Sequence, residues 1–169
     1  DLVYFSSLGF LGIALHQWLQ STGLVTAEAA TSSWLVSTAP VFMAILGWLF
    51  LREKLNAGQI LGIVLAAVGV ALIVTHGKLA TLLSGNLGET GNILMLISAV
   101  NWAVFSAYSR RGLKTHPATQ MMFFVMVFGW LLLSVPFFLT RGYADIPNLA
   151  GEGWLAILFL GIFCSGLAY

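Results

Sequence analysis

His16 is the side chain whose type and position most suggest chemistry, because it lies inside a long uncharged stretch. An imidazole gains or loses a proton near neutral pH and forms hydrogen bonds through both ring nitrogens. Gln20 follows four residues later, so a helix would place both side chains on one face. Ser165 and Tyr169 repeat this spacing in a second uncharged stretch. The two pairs predict facing polar stripes that line a central cavity; a neutral His16 hydrogen-bonded between helices is the structural alternative.

Polar and aromatic side chains in other uncharged stretches form a second set of candidates. Polar residues at such depths often only join two helices by a hydrogen bond, and large rings often only fill space. A shared lining with His16 would instead give an amphipathic pocket rich in hydroxyl groups and aromatic rings. The candidates for this lining are Trp34, Ser37, Asn101, Trp102 and Phe105.

Charge avoidance indicates which elements hold these residues. Only 8% of the residues are charged and 59% are apolar, a composition far from that of soluble domains. A membrane span needs about 20 apolar residues, because a helix rises about 1.5 Å per residue across about 30 Å of hydrocarbon. The charged residues leave six uncharged gaps, at 2–27, 29–51, 55–77, 90–109, 115–140 and 153–169. They predict an all-α, polytopic transmembrane helical bundle, with helices at 2–20, 27–50, 57–76, 92–110, 118–139 and 153–169.

The basic residues predict the direction of these helices. Short loops rich in Lys and Arg remain in the cytoplasm. Five of the seven basic residues lie in two alternate turns, namely Arg52, Lys54, Arg110, Arg111 and Lys114. The remaining turns carry only Lys78 and Arg141, so we expect them to be external. The first helix then runs from the inside to the outside.

Two further patterns predict how the helices bend and pack. Pro40 lies mid-span and lacks a backbone N–H, so it should kink its helix. Small residues recur on one face of the third helix at Gly58, Gly62, Ala66 and Gly69. Small side chains let helix backbones approach closely in a membrane, so this face should pack against another helix.

A short sequence recurs in two helices of opposite direction. Residues 10–13 and 159–162 both read FLGI, and the helices that contain them are five spans apart. A five-helix unit repeated once in inverted orientation is a construction that many secondary transporters use. We therefore predict three helices of a first repeat in 1–77, an external linker at 78–91 and three helices of a second repeat in 92–169. Two more helices are expected before residue 1 and two after residue 169.

Several motifs resemble the EamA family of the drug/metabolite transporter superfamily. They are STAPVF at 37–42, FLREKL at 50–55, GQILG at 58–62, GNIL at 91–94, WA at 102–103 and RRGL at 110–113. The resemblance covers essentially the whole chain. It implies ten helices in two inverted-topology EamA repeats, export of small metabolites, and a multi-pass protein of the prokaryotic cytoplasmic (inner) membrane.

The lack of charged side chains within the predicted helices narrows the range of expected solutes and mechanisms. No charged side chain lies deep in any of them, which disfavours a phosphate clamp and a carboxylate-driven antiport. We expect alternating-access transport of amino acids or similar zwitterionic or amphipathic solutes, with protons as a further partner if His16 couples transport to them. No metal, cofactor, nucleic acid or catalytic residue is predicted, and the oligomeric state is left open. The alternatives are a non-transporting membrane subunit or receptor, and an intramembrane serine hydrolase using Ser165 with His16.

Overall fold

Helices make up almost all of the described chain. The computed structural model describes residues 1–51, 54–75, 77 and 90–162. Within these residues the helices are α1 (Leu2–Leu24), α2 (Ala29–Val36 and Ala39–Leu51), α3 (Ala57–Val74), α4 (Thr90–Gly112), α5 (Ala118–Leu139) and α6 (Gly151–Phe159). A 3-10 helix, Gly142–Asn148, lies between α5 and α6.

The lengths and composition of these helices suit a membrane. Four of the described helices, α1, α2, α4 and α5, are long and apolar enough to cross one. The apolar stretches of α3 and α6 are shorter over the described residues. The predicted all-α, polytopic bundle is therefore confirmed, and most predicted bounds lie within a few residues of the observed ones.

Local chemistry explains where α3 begins. The Asn56 side chain accepts a hydrogen bond from the Gln59 backbone N–H at 2.8 Å, and the Gln59 side chain accepts one from the Asn56 N–H at 2.9 Å. This reciprocal capping box satisfies two backbone donors that a helix start otherwise leaves unpaired. The helix therefore starts directly after the polar turn that follows α2.

The chain has two compact units, Asp1–Leu132 and Leu133–Tyr169. In the first unit α4 is the central helix, because it contacts both α1 and α2 and contains buried positions along its whole length. The buried residues of α4 include four polar ones, Asn92, Ser98, Asn101 and Ser109. A central helix that carries buried polar side chains is the natural place for hydrogen bonds between spans.

The helices of the first unit alternate in direction around α4. The beginning of α4 lies at the end of α1, since a Cβ added to Gly91 would be only 2.6 Å from the backbone nitrogen of Ala27. The other end of α4 lies at the beginning of α1, where Tyr4 bonds to Gly112. α2 runs parallel to α4, because Phe50 and Arg111 line one cavity at the same end. The end of α2 that leads to Lys54 and the basic end of α4 are thus on one side; which side faces the cytoplasm stays a prediction.

Two apolar clusters hold the first unit together. The larger one joins α1, α4 and α5 through Phe5, Leu8, Phe105, Met121 and Val125. Gly12 makes this contact possible, because a Cβ there would lie 2.5 Å from the Phe105 ring. A smaller cluster joins α2 and α4 through Leu35 and Met95.

α2 is interrupted close to Pro40. Its two segments are separated by Ser37 and Thr38, whose hydroxyls donate to the carbonyls of Ser33 and Leu35 at 2.8 and 2.6 Å. Such back-bonding side chains bend helices, and Pro40 has no N–H to donate to the carbonyl one turn earlier. The sequence therefore explains a break two residues before the proline.

The small-residue face of α3 has few neighbours in the described part of the chain. A Cβ added to Gly62 or Gly69 would have no atom within 4 Å, apart from its own helix and chain neighbours. Gly58 and Gly62 are exposed, and Ala66 is half-buried. Packing of this face against another helix stays a prediction.

The second unit contains the end of α5, the 3-10 helix and α6. Pro136 lies inside α5, and Arg141 adopts a left-handed backbone conformation (φ 57°) where the chain turns. An apolar cavity in this unit is lined by Phe137, Gly142, Ile146, Leu149, Trp154 and Ile157. The predicted linker at 78–91 lies outside the described residues except for Thr90 and Gly91.

Candidate functional site

The middle of α1 is a π-helix that spans Phe10–Leu15 and ends directly before His16. A π-helical turn is wider than an α-helical one, and such turns are frequent at functional sites. The Asn101 side chain of α4 donates a hydrogen bond to the backbone carbonyl of Leu11 at 2.7 Å. This bond links the widened turn of α1 to the central helix and holds the backbone that precedes His16 in the sequence.

His16 lies against an aromatic row on α4. The centroids of the His16 and Trp102 rings are 4.8 Å apart, with the planes tilted by 38°. Trp102 in turn contacts Phe105, and the centroids of their rings are 5.2 Å apart. The imidazole therefore contacts an aromatic surface at the depth of the widened turn.

The polar atoms of the His16 ring are only partly satisfied. Nδ1 is buried and has no hydrogen-bond partner among the described residues. The ring also lies near the backbone of Ser98, one turn before Trp102 on α4. A buried polar atom without a partner is costly in an apolar environment. The ring therefore carries a hydrogen-bonding atom that no described residue uses.

The structure brings together four of the predicted lining residues: His16, Asn101, Trp102 and Phe105. Gln20 lies one turn further along α1, in the wall of a groove between α1 and α2. Trp34 and Ser37 do not join this group: Trp34 is 68% exposed, and the Ser37 hydroxyl bonds to the backbone of its own helix. Ser165 and Tyr169 lie outside the described residues, so the predicted pairing of the two polar stripes stays a prediction.

The groove beside Gln20 is a cavity of about 330 Å³. Its walls come from Gln20 and Leu24 on α1, and from Ser32, Ser33 and Val36 on α2, while Met95 of α4 also lines it. This volume is at the lower end of the range for small-molecule sites. The groove begins one helical turn from His16 along α1.

Sequence reasoning missed a hydrogen-bonded bridge at the other end of α1. The Tyr4 hydroxyl donates to the carbonyl of Tyr108 at 2.9 Å and accepts from the N–H of Gly112 at 2.8 Å. These two backbone groups are four residues apart on α4, so the hydroxyl inserts into the last helical turn. A Cβ at residue 112 would collide with the Tyr4 ring at 2.7 Å. Gly112 was the one available signal, since it is a glycine in a helical turn of otherwise larger residues.

The cluster at His16 offers hydrogen bonding and aromatic stacking. Within the described ranges no group of three His, Cys, Asp or Glu side chains is close enough to hold a metal ion. The basic residues at the ends of α2 and α4 lie at one end of the first unit, and His16 lies nearer the opposite end of α1. These basic residues are Lys54, Arg110, Arg111 and Lys114. The cluster is thus suited to a small molecule with both polar and apolar parts.

Comparison with known proteins gives a consistent family. The EamA-like transporter family matches residues 1–75 and 89–169. An uncharacterized transporter of Archaeoglobus fulgidus is 29% identical over the whole chain, which covers 57% of that protein. The uncharacterized transporter YyaM of Bacillus subtilis is 28% identical over the whole chain, which covers 55% of it.

A third relative matches a shorter region. An uncharacterized transporter of Methanothermobacter thermautotrophicus is 34% identical over 53% of the chain and 26% of its own length. The chain spans about half the length of the curated relatives that it matches over its whole length. No solved structure matches it significantly. The family match and the apolar helices together show that the chain is part of a multi-pass integral membrane protein and belongs to the EamA-like transporter family.

Proposed function

We propose that this protein transports small zwitterionic or amphipathic metabolites, such as amino acids, by alternating access. The observation that carries the proposal is the half-buried His16 ring, which lies on Trp102 and keeps Nδ1 without a partner in the described chain. A membrane span gains no stability from such an atom, because polar groups in hydrocarbon are costly unless they find a partner. A bound solute would supply that partner.

The chemistry of the cluster supports this class of solute. The imidazole and the Asn101 carboxamide are polar but carry no fixed charge, while Trp102 and Phe105 give a continuous apolar surface. A solute with a large net charge would lack a counter-ion here. A zwitterion or an amphipathic molecule can place its apolar part on the rings and its polar part at His16.

The two segments matched by the family support a protein built from two repeats. The matched segments are 1–75 and 89–169, and the stretch between them overlaps the predicted linker at 78–91. In a ten-helix protein of inverted repeats, the solute binds between the repeats near the middle of the membrane. The helices that the chain lacks relative to this architecture would cover surfaces such as the face of Gly58, Gly62, Ala66 and Gly69.

Flux measurements on the intact protein test the proposal. Reconstituted in liposomes, it should carry one or more members of a panel of radiolabelled amino acids and related metabolites. Trp102→Leu should reduce that flux about fivefold or more, because loss of a stacked ring costs about 1 kcal/mol of solute binding. Trp18→Leu is the matched control, since Trp18 lies on the same bundle but is 55% exposed. Absence of flux for the whole panel would contradict the transporter proposal.

The role of His16 in proton coupling needs a separate measurement. If the imidazole carries the coupled proton, His16→Gln should abolish the dependence of flux on external pH while some flux persists. An unchanged pH profile in that variant would exclude coupling through His16. It would leave the transport proposal itself intact.

A further inference from the structure

We infer that the groove between α1 and α2 is a second solute subsite, and that it binds an uncharged hydrogen-bonding group such as a hydroxyl or a carboxamide. The inference rests on the proposed function, because the groove begins at Gln20, one helical turn along α1 from His16. It adds a requirement on the solute: a neutral polar group about one helical turn from the part that meets His16.

Ser32 is the main evidence. Its side chain lines the groove and is only 4% exposed, yet its hydroxyl has no hydrogen-bond partner in the described part of the chain. A serine in a helix normally bonds to a backbone carbonyl one turn earlier when no better partner exists. An unused buried hydroxyl beside a groove is a group that an incoming hydrogen-bond partner would satisfy.

Ser33 shows that the neighbouring residue behaves differently. It lines the same groove, but its hydroxyl donates to the carbonyl of Ala29 at 2.9 Å. The two adjacent serines thus carry the same hydroxyl group and line the same groove. Of the two, only Ser32 has a hydroxyl without a partner in the described part of the chain. The pair provides an internal control that the sequence alone does not distinguish.

The composition of the groove defines the group that it can bind. Its described polar lining consists of Ser32, Ser33 and Gln20, none of which carries a charge. Hydroxyl and carboxamide groups both donate and accept hydrogen bonds, so they match a neutral partner with the same capacity. A carboxylate or an ammonium would find no opposite charge among the residues that line the groove.

Apolar side chains complete the groove and give it some adaptability. Leu24 and Val36 line its sides, and Met95 is almost fully buried beside it. The thioether chain of methionine is flexible and adapts to different shapes. A solute could therefore reach the Ser32 hydroxyl with a small movement of Met95.

Gln20 is the residue of the groove that lies nearest to His16 along α1. The two residues are four apart on α1, with Gln20 half-buried in the groove wall. Four helical residues correspond to about 6 Å along the axis, which is the span of a small amino acid. This separation sets the length of a solute that would contact both subsites.

Isosteric solutes test the inference directly. Equilibrium binding of radiolabelled threonine, valine, glutamine and glutamate is measured on the intact purified protein and on Ser32→Ala and Ser33→Ala variants. Threonine and valine differ only by a hydroxyl in place of a methyl, and glutamine and glutamate differ by a charge. Wild-type protein should prefer threonine over valine and glutamine over glutamate by about fivefold or more, the value of one hydrogen bond.

The two serine variants should then separate. Ser32→Ala should remove most of the threonine preference without weakening valine binding, whereas Ser33→Ala should retain the preference. Equal binding of each pair by the wild-type protein, absence of binding by all four probes, or equal effects of the two variants would overturn the inference.

The same probes keep this inference distinct from the proposed function. Flux of the four amino acids without any preference for hydroxyl or carboxamide groups would refute the subsite and support the transporter. A preference in binding that depends on Ser32, with no flux of any probe, would support the subsite and refute transport.

Discussion

The two halves of the contact between α1 and α4 differ in whether their buried polar groups are hydrogen-bonded. At the Tyr4 end, residues 4–13 of α1 meet residues 101–112 of α4, and the Tyr4 hydroxyl and the Asn101 carboxamide both bond to backbone groups of the opposite helix. At the His16 end, residues 16–24 of α1 meet residues 91–98 of α4. There the structure leaves buried polar atoms of His16, Asn92 and the nearby Ser32 without partners, among the residues it describes.

This difference separates structural polar groups from available ones. A hydrogen bond between helices stabilises a membrane bundle by about 0.6 kcal/mol on average, so the bonds at the Tyr4 end hold the two helices in register. An unpaired atom contributes nothing to the fold and is costly to bury. The same helix pair is therefore joined by side-chain hydrogen bonds at one end and carries buried polar atoms without described partners at the other.

The largest effect should come from closing the contact between Gly12 and Phe105. Gly12→Leu should destabilise the intact protein by about 3 kcal/mol, because its side chain would occupy the space of the Phe105 ring. Thermal unfolding in detergent, followed by intrinsic fluorescence, measures the loss. Phe105→Ala in the same chain should restore part of it, and a double variant no better than Gly12→Leu alone would show that the ring is not the obstacle.

Removal of the Asn101 bond should have a smaller effect. Asn101→Leu should cost about 1 kcal/mol and lower the unfolding midpoint, because the Leu11 carbonyl loses its partner on α4. Amide hydrogen exchange should also rise in the π-helical segment 10–15. Val100→Leu, at an exposed neighbouring position, is the control. Unchanged exchange in Asn101→Leu would mean that the π-helix does not depend on this bond.

The bridge at Tyr4 should contribute slightly less. Tyr4→Phe keeps the ring but removes the hydroxyl, and the N–H of Gly112 can then bond directly to the carbonyl of Tyr108 within α4. We expect a loss of about 0.5 kcal/mol, measured by the same unfolding assay. Tyr143→Phe, at an exposed tyrosine, should have no effect. A Tyr4→Phe midpoint equal to that of the wild type would contradict a structural role for the bridge.

The His16 end should show the smallest effect on stability. Ser32→Ala removes a buried hydroxyl that has no partner in the described chain, so the unfolding midpoint should stay the same or rise slightly. A loss as large as that of Asn101→Leu would show that the Ser32 hydroxyl is bonded in the folded protein. The distinction between the two halves would then fail.

The sequence predicted the helices well because charge and length alone constrain them. The predicted α5, 118–139, coincides with Ala118–Leu139, and the predicted 92–110 became Thr90–Gly112. In a membrane a charged residue marks the end of a span almost wherever it occurs. No comparable signal marks the π-helix of α1, because its residues are ordinary apolar ones.

The candidate site was predicted in part for the same reason. His16, Asn101, Trp102 and Phe105 were identifiable as unusual residues for their depth, and they do come together. Trp34 had the same appearance in the sequence, yet it is exposed in the structure. Whether a tryptophan in an apolar helix turns toward a neighbour or away from it depends on the rotation of that helix, which periodicity determines poorly when nearly every position is apolar.

The sequence by itself determined that this chain crosses a membrane as a series of helices, which of their ends carry the positive charge, and which few polar residues lie at depth. The physical reason is the high cost of charge in hydrocarbon, which leaves a regular record in the order of residues. Only the tertiary structure decided which polar atoms are paired. Tyr4 and Asn101 bond to backbone groups across a helix interface. Ser33 bonds to the backbone of its own helix, and Ser32 has no partner among the described residues, because hydrogen bonds require distances and angles that depend on how the chain packs.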